Sequence, residues 1–167
     1  MRVAILTISD AASRGEREDT SGAAAAEWAS SCEYDVTARA LVPDDTVAIV
    51  RQLLAWCDDD AADLVLTTGG TGLSPRDVTP EATRAVIERE ATGIAERLRI
   101  DTGADVARAA LSRGTAGVRA RTLIVNLPGS PRAVREYLEV LSPIATHAVA
   151  VLRGEATDHS PKTGHSQ

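Results

Sequence analysis

Hydrophobic and polar positions along the chain follow two alternating periods. Val3 to Ile8 and Leu64 to Leu66 are short apolar runs of strand length, and Thr122 to Val125 is a third. Val36 to Val42 reads as a further strand by its alternation, and Pro43 stops it. Between these runs the spacing is helical. Thr20 or Ser21 is placed to cap a helix running through Trp28. Asp44 stands where an N-cap belongs, with Val47, Val50, Leu54 and Cys57 recurring behind it. Thr79 and Pro80 read as the N-cap and first residue of a helix reaching Arg89. Helices are also predicted for Ile94 to Asp101 and for Asp105 to Leu111. Ser130-Pro131 opens the last one, whose apolar stripe includes Val134, Tyr137, Leu138, Leu141, Ile144 and Ala148.

Strands separated by helices of this length imply βαβ units. The expected fold is therefore a single three-layer α/β/α domain with a mainly parallel sheet, spanning residues 1–153. From Gly154 to Gln167 the composition turns polar, and a disordered tail is expected there. Ligands of such sheets bind beyond the carboxyl ends of the strands. The polar candidates fall at those ends: Ser9 and Asp10, Pro43-Asp44-Asp45, the loop after Leu66, and Asn126-Leu127-Pro128-Gly129-Ser130.

The loop Thr67-Thr68-Gly69-Gly70-Thr71-Gly72-Leu73-Ser74-Pro75-Arg76-Asp77-Val78 carries the most specific chemistry. Its glycines let backbone N–H groups approach an anion, its hydroxyls add donors, and Asp77 is placed to hold a metal ion that neutralises the bound charge. It is neither of two familiar nucleotide motifs. No lysine follows Gly72 as a P-loop requires, and a dinucleotide fingerprint starting at Gly70 would need glycine where Pro75 stands. A ligand-binding loop predicts that alanine at Gly70 or Gly72 weakens binding far more than it destabilises the fold.

Composition narrows the partners. With 167 residues, 44% of them hydrophobic, the chain suits one core, built from alanine, valine, leucine and isoleucine because phenylalanine is absent. A net charge of −6 with no basic block argues against a nucleic-acid or anionic-membrane surface. Met1 to Ser9 is too short for a signal peptide and no apolar run would span a bilayer, so a cytoplasmic protein is expected. Cys32 and Cys57 lack metal-ligand spacing, and His147, His159 and His165 form no constellation with them.

Taken in order, Ile8-Ser9-Asp10, Asp19-Thr20-Ser21-Gly22, Leu41-Val42-Pro43-Asp44, Thr67 to Thr83, Leu111-Ser112-Arg113 and Leu123 to Val134 (LIVNLPGSPRAV) resemble the molybdopterin-binding MoaB/Mog family, over about residues 2–153. Relatives include the G domain of gephyrin. The resemblance implies an adenylyltransferase that joins AMP from Mg-ATP to the terminal phosphate of molybdopterin and releases pyrophosphate. It implies that Asp44 and Asp77 are the catalytic, magnesium-holding carboxylates. Thr68, Gly69, Gly70, Thr71 and Gly72 are matched to phosphate binding, Pro128, Gly129, Ser130 and Pro131 to a second wall, and Ser112 to a pterin contact. Asp10 and Asp19 match acids at the edge of the site, with Asp19 equally placed to cap a helix, and Ser9 stands beside Asp10 as a binding candidate.

The family also implies a trimer or a dimer of trimers, and exchange of substrate with other molybdenum-cofactor enzymes. Two departures touch the pterin side: Thr92-Gly93 stands where Pro-Gly is common, and Thr102 where many members have serine. Two other readings share the motifs, a molybdopterin-binding module without catalysis and a nucleotide-processing relative of the same fold. No nucleophilic triad is required, because a phosphate acceptor is already ionised at neutral pH and the obstacle is charge.

Overall fold

The computed structural model describes residues 1–103 and 107–155. One six-stranded sheet is built from β1 (Arg2–Ile8), β2 (Asp35–Val42), β3 (Leu64–Thr68), β4 (Arg89–Glu90), β5 (Ala116–Arg119) and β6 (Thr122–Leu127) in the order β2-β1-β3-β6-β5-β4. The first four in that order are parallel, with Val3 opposite Leu64 and Leu64 opposite Leu123. β5 and β4 add an antiparallel edge. The helices are α1 (Asp10–Ser13), α2 (Thr20–Ser31), α3 (Thr46–Asp58), α4 (Thr79–Val86), α5 (Thr92–Gly103) and α6 (Pro131–Arg153), with a 3-10 turn at Ala107–Leu111.

Successive strand residues point to opposite faces, so the core divides into two. On one face Val3, Ile5, Leu64, Leu66, Leu123 and Val125 pack under α2, α5 and α6, where Ala24, Ala25 and Ala29 let α2 lie close. On the other, Ala4, Leu6, Val65 and Ile124 meet Ile49, Leu53 and Trp56 of α3 and Ala82 and Val86 of α4. This is the three-layer, mainly parallel arrangement expected from the alternation of elements.

Several local expectations change. The helix predicted through Arg89 ends at Val86, because Ile87 turns extended and Arg89 and Glu90 pair with Val118 and Gly117. The caps shift by a residue. Asp19, not Thr20 or Ser21, accepts the N–H of Gly22 to start α2, and Asp45, not Asp44, accepts that of Ala48 to start α3. Thr79 caps nothing; its hydroxyl donates to the carbonyl of Gly69. The α3 core face is Ile49, Leu53, Trp56 and Cys57, leaving Val47 64% exposed. In α6 the buried stripe beyond Leu141 advances by four to Ala145 and Val149 rather than through Ile144 and Ala148, with Pro143 on the exposed side. Of the helix predicted at Asp105 to Leu111, the described part is the 3-10 turn. Residues 104–106, and the tail expected to be disordered beyond residue 155, lie outside the described residues.

At the amino ends of the strands, away from the glycine loop, one ionic cluster gathers distant parts of the chain. Asp63 at the start of β3 accepts from Arg2 of β1, at 2.8 Å, and pairs with Arg153 at the end of α6. Asp60 bridges the same two arginines, at 3.1 Å and 2.6 Å.

Candidate active site

Beyond the carboxyl ends of β1, β2, β3 and β6, loops from the sequence-predicted positions meet. Asp10 and Asp44 grip each other across two of them: the Asp10 N–H donates to Asp44 Oδ2 at 2.8 Å, and the Asp44 N–H to Asp10 Oδ1 at 3.1 Å. Because Asp45 caps α3, the Asp44 carboxylate takes no part in starting that helix. Arg76 donates through Nε and one terminal nitrogen to the other oxygen of Asp10, at 3.1 Å and 2.7 Å. The Arg76 guanidinium first, and then the Asp44 N–H, hold the Asp10 carboxyl below its ordinary value against the opposing effect of desolvation. Burial pushes Asp44 up, and the negative charges of Asp10 and Asp77 add to the rise against the Asp10 N–H and Arg76.

Asp77 closes a small turn: its Oδ2 accepts the N–H of Ser74 at 2.8 Å, and its own N–H donates to the Ser74 carbonyl at 2.9 Å. The glycines fit backbone between these groups. Gly70 has φ +61°, and a Cβ there would strike the Thr79 hydroxyl and lie 3.1 Å from Asp44 Oδ1. Gly72 lies outside the left-handed region, and a Cβ there would sit 2.9 Å from Asp77 Oδ2. Both carboxylates therefore face the glycine backbone. The N–H of Gly69 is committed to the carbonyl of Leu127 and the hydroxyl of Thr68 to that of Pro128. The N–H groups of Gly70, Thr71 and Gly72 donate to no other described residue, which leaves them to an anion.

Two cavities adjoin this backbone. The larger, about 520 Å³, is lined by Gly70, Thr71 and Gly72, by Thr102 and Ser112, and by Pro128 to Ser130 with Tyr137 behind them. The smaller, about 220 Å³, is lined by Ser9, Asp19, Asp44 and Gly69 among others and is the more polar. Gly70, Asp77 and Gly129 line both. Thr68, Asp10 and Pro131 line neither; Thr68 ties β3 to the Pro128 loop, Asp10 sets Asp44, and Pro131 begins α6. Ser9 and Ser130 accept the N–H groups of Ala12 and Ala133 as helix caps while facing the cavities. The Thr102 hydroxyl donates to the carbonyl of Leu98 at 2.6 Å, so at this departure from the motif the hydroxyl is used within α5.

Two residues that lie within the segments singled out in the sequence, but whose contacts nothing there predicted, support the loops. Arg113 donates through Nε to the Gly72 carbonyl at 2.7 Å and through a terminal nitrogen to that of Asp77 at 2.6 Å, and it pairs with Glu81. Asn126, buried in β6, donates to the Thr67 and Thr83 hydroxyls and accepts the N–H of Thr115. A lone amide inside an apolar strand was the available signal for Asn126. Nothing local joins Arg113 to carbonyls some forty residues earlier. Among the described residues no group of three or more His, Cys, Asp or Glu converges, and no helix is long and apolar enough to cross a membrane.

A family described as a probable molybdopterin binding domain matches residues 4–147. The chain is similar to the molybdopterin adenylyltransferase of Helicobacter pylori strain J99, 40% identical over 158 residues that cover 92% of this chain and 89% of that one. It is 41% identical to the molybdopterin adenylyltransferase of Escherichia coli K12 over 83% of this chain and 72% of that one. The solved structure of the molybdopterin biosynthesis enzyme MoaB from Thermus thermophilus aligns with a TM-score of 0.87 and 50% identity, covering 92% of this chain and 96% of that one.

Proposed function

The chain belongs to the molybdopterin-binding MoaB/Mog family, and from that membership we propose that it is a molybdopterin adenylyltransferase of molybdenum cofactor biosynthesis, joining AMP from ATP to the terminal phosphate of molybdopterin. The observation that carries the reading at the level of residues is the wall shared by the two cavities. The larger, partly apolar cavity suits a pterin and the smaller polar one a nucleotide, so their phosphates meet at Gly70, Asp77 and Gly129. There an oxygen of the pterin phosphate attacks the α-phosphorus of ATP, the bond from that phosphorus to the bridging oxygen breaks, and pyrophosphate leaves.

The chain's part is alignment and charge. The N–H groups of Gly70 to Gly72, which donate to no other described residue, hold phosphate oxygens in place. Asp10 and Arg76 fix Asp44 at the rim of the nucleotide cavity, and the 74–77 turn fixes Asp77 at the junction. Magnesium fits this pair: both are hard oxygen donors, and the charge of Asp77 disfavours ionised Asp44, a repulsion that a cation relieves. Asp44 and Asp77 would hold the ion, which supplies neutralisation of phosphate charge. The same reading makes the protein a cytoplasmic homo-oligomer, a trimer or a dimer of trimers, exchanging its pterin with other enzymes of the cofactor.

The test is incubation of the purified chain with ATP, magnesium and molybdopterin, with detection of the adenylated product. Asp77→Asn is expected to keep fold and pterin binding while lowering turnover by at least about a hundredfold. Unchanged turnover in both Asp77→Asn and Asp44→Asn, with stability intact, would overturn the assignment of these carboxylates.

A further inference from the structure

We infer that Arg113 is a positioning residue for the transfer step, acting through Asp77 rather than on substrate; the inference rests on the adenylyl-transfer reading. The segment Gly72 to Asp77 leaves the sheet, turns at Ser74 and returns to α4. Its two ends are joined by one guanidinium. Nε reaches the Gly72 carbonyl and a terminal nitrogen the Asp77 carbonyl, at 2.7 Å and 2.6 Å. The other terminal nitrogen meets Glu81 on α4, and the Arg113 N–H donates to the Thr71 carbonyl at 2.9 Å.

Each contact falls on the backbone of the phosphate loop or on α4, and Arg113 itself lines neither of the two cavities. The planar fork sets the spacing of the two carbonyls, which a flexible ammonium bearing a single point charge does not. The Asp77 carbonyl belongs to the residue whose carboxylate both cavities share, so fixing it fixes the root of that side chain. Arg113 also follows Ser112 directly, so the wall of the larger cavity and the phosphate loop are held to one another through it. The Arg113 side chain is 32% exposed, and the site it supports is assembled from chain segments remote in sequence.

This clamp makes a prediction that plain structural support does not: its effect on turnover runs through one carboxylate. The experiment is a double-mutant cycle of Arg113→Ala and Asp77→Asn, with Arg113→Lys alongside, reading turnover, molybdopterin affinity, melting temperature and amide exchange. Arg113→Ala is expected to lower turnover roughly thirtyfold, the scale of a displacement somewhat under 1 Å, with pterin affinity changed less than about threefold. Arg113→Lys is expected to recover no more than about threefold of that loss. On the Asp77→Asn background the same alanine costs less than about threefold, because the group it positions is already gone. Amide exchange at Ser74 and Asp77 is expected to rise at least about tenfold while β1 and β3 keep their protection.

A full thirtyfold loss on the Asp77→Asn background, or unchanged exchange at Ser74 and Asp77, overturns the proposal. If the unmodified chain yields no adenylated product, that result counts against the adenylyl-transfer reading. Exchange at Ser74 and Asp77 still decides the clamp.

Discussion

Replacing Gly70 or Gly72 by alanine separates two roles that the sequence merges. At Gly70 the backbone is left-handed, φ +61°, which costs a residue with a Cβ roughly 1–2 kcal/mol. The added carbon also strikes the Thr79 hydroxyl, whose hydrogen bond to the Gly69 carbonyl is buried, and losing such a bond costs about 1–3 kcal/mol. Gly70→Ala is therefore expected to lose about 2–5 kcal/mol, or roughly 4–20 °C in melting temperature for a domain of this size. At Gly72 no left-handed penalty applies. The Cβ would stand 2.9 Å from Asp77 Oδ2 where ordinary contact begins at 3.4 Å, so the carboxylate must move by about 0.5 Å. Since a 1 Å misplacement costs about a hundredfold, Gly72→Ala is expected to lose roughly tenfold in turnover with little loss of stability. Calorimetric melts and adenylation kinetics on the same two proteins test this. Equal destabilisation of both, or full turnover in folded Gly72→Ala, refutes the reasoning. At Gly70 the loss expected from this geometry is first one of stability, whereas the sequence alone predicts that ligand binding suffers first at either glycine.

Three further outcomes follow from neighbouring geometry. Asp45→Ala removes the α3 cap and is expected to cost about 1 kcal/mol in urea unfolding while leaving adenylation intact, whereas Asp44→Asn should show the converse, a loss of about a hundredfold in turnover at unchanged stability. Activity should fall as pH drops through the raised value of Asp44; Arg76→Gln removes a positive charge that lowers it and leaves Asp10 uncompensated, so the acid limb of turnover against pH should move to higher pH, and a shift the other way refutes the coupling. Asn126→Ala strands the buried N–H of Thr115 and removes a donor from two buried hydroxyls, which is expected to cost about 2–4 kcal/mol by denaturant midpoint at constant m-value.

The parts legible in the sequence are those where one local rule suffices. β1, β3 and β6 are continuous apolar runs, and the loops after them are marked by Asp10, by the three glycines and by Pro128-Gly129-Ser130. Where two neighbouring residues offer the same chemistry, local sequence does not choose between them. Asp44 and Asp45 are both good caps, and α3 takes Asp45, which is what frees Asp44 for the site. Thr20 and Asp19 pose the same choice, as do the Ile49–Leu53 and Val50–Leu54 faces of α3. β4 and β5 escaped because Arg89 and Glu90 are exposed and polar, while Ala116-Gly117-Val118-Arg119 is short and does not alternate; their pairing supplies what propensity lacks. The Arg113 clamp is a purely tertiary fact.

The cluster of Arg2, Asp60, Asp63 and Arg153 has a consequence for chain connectivity. The start of β1 and the end of α6 share the same two carboxylates, on the side of the sheet remote from the glycine loop. A short linker from residue 153 back to residue 2 therefore spans little distance and disturbs none of the loops that bear Asp44, Asp77 or Ser130. Reopening the chain in the exposed turn at Glu33, between α2 and β2, would give a circular permutant with every strand pairing retained. The chemistry depends on which strand ends are neighbours, and the order in which a ribosome delivers them is free to vary.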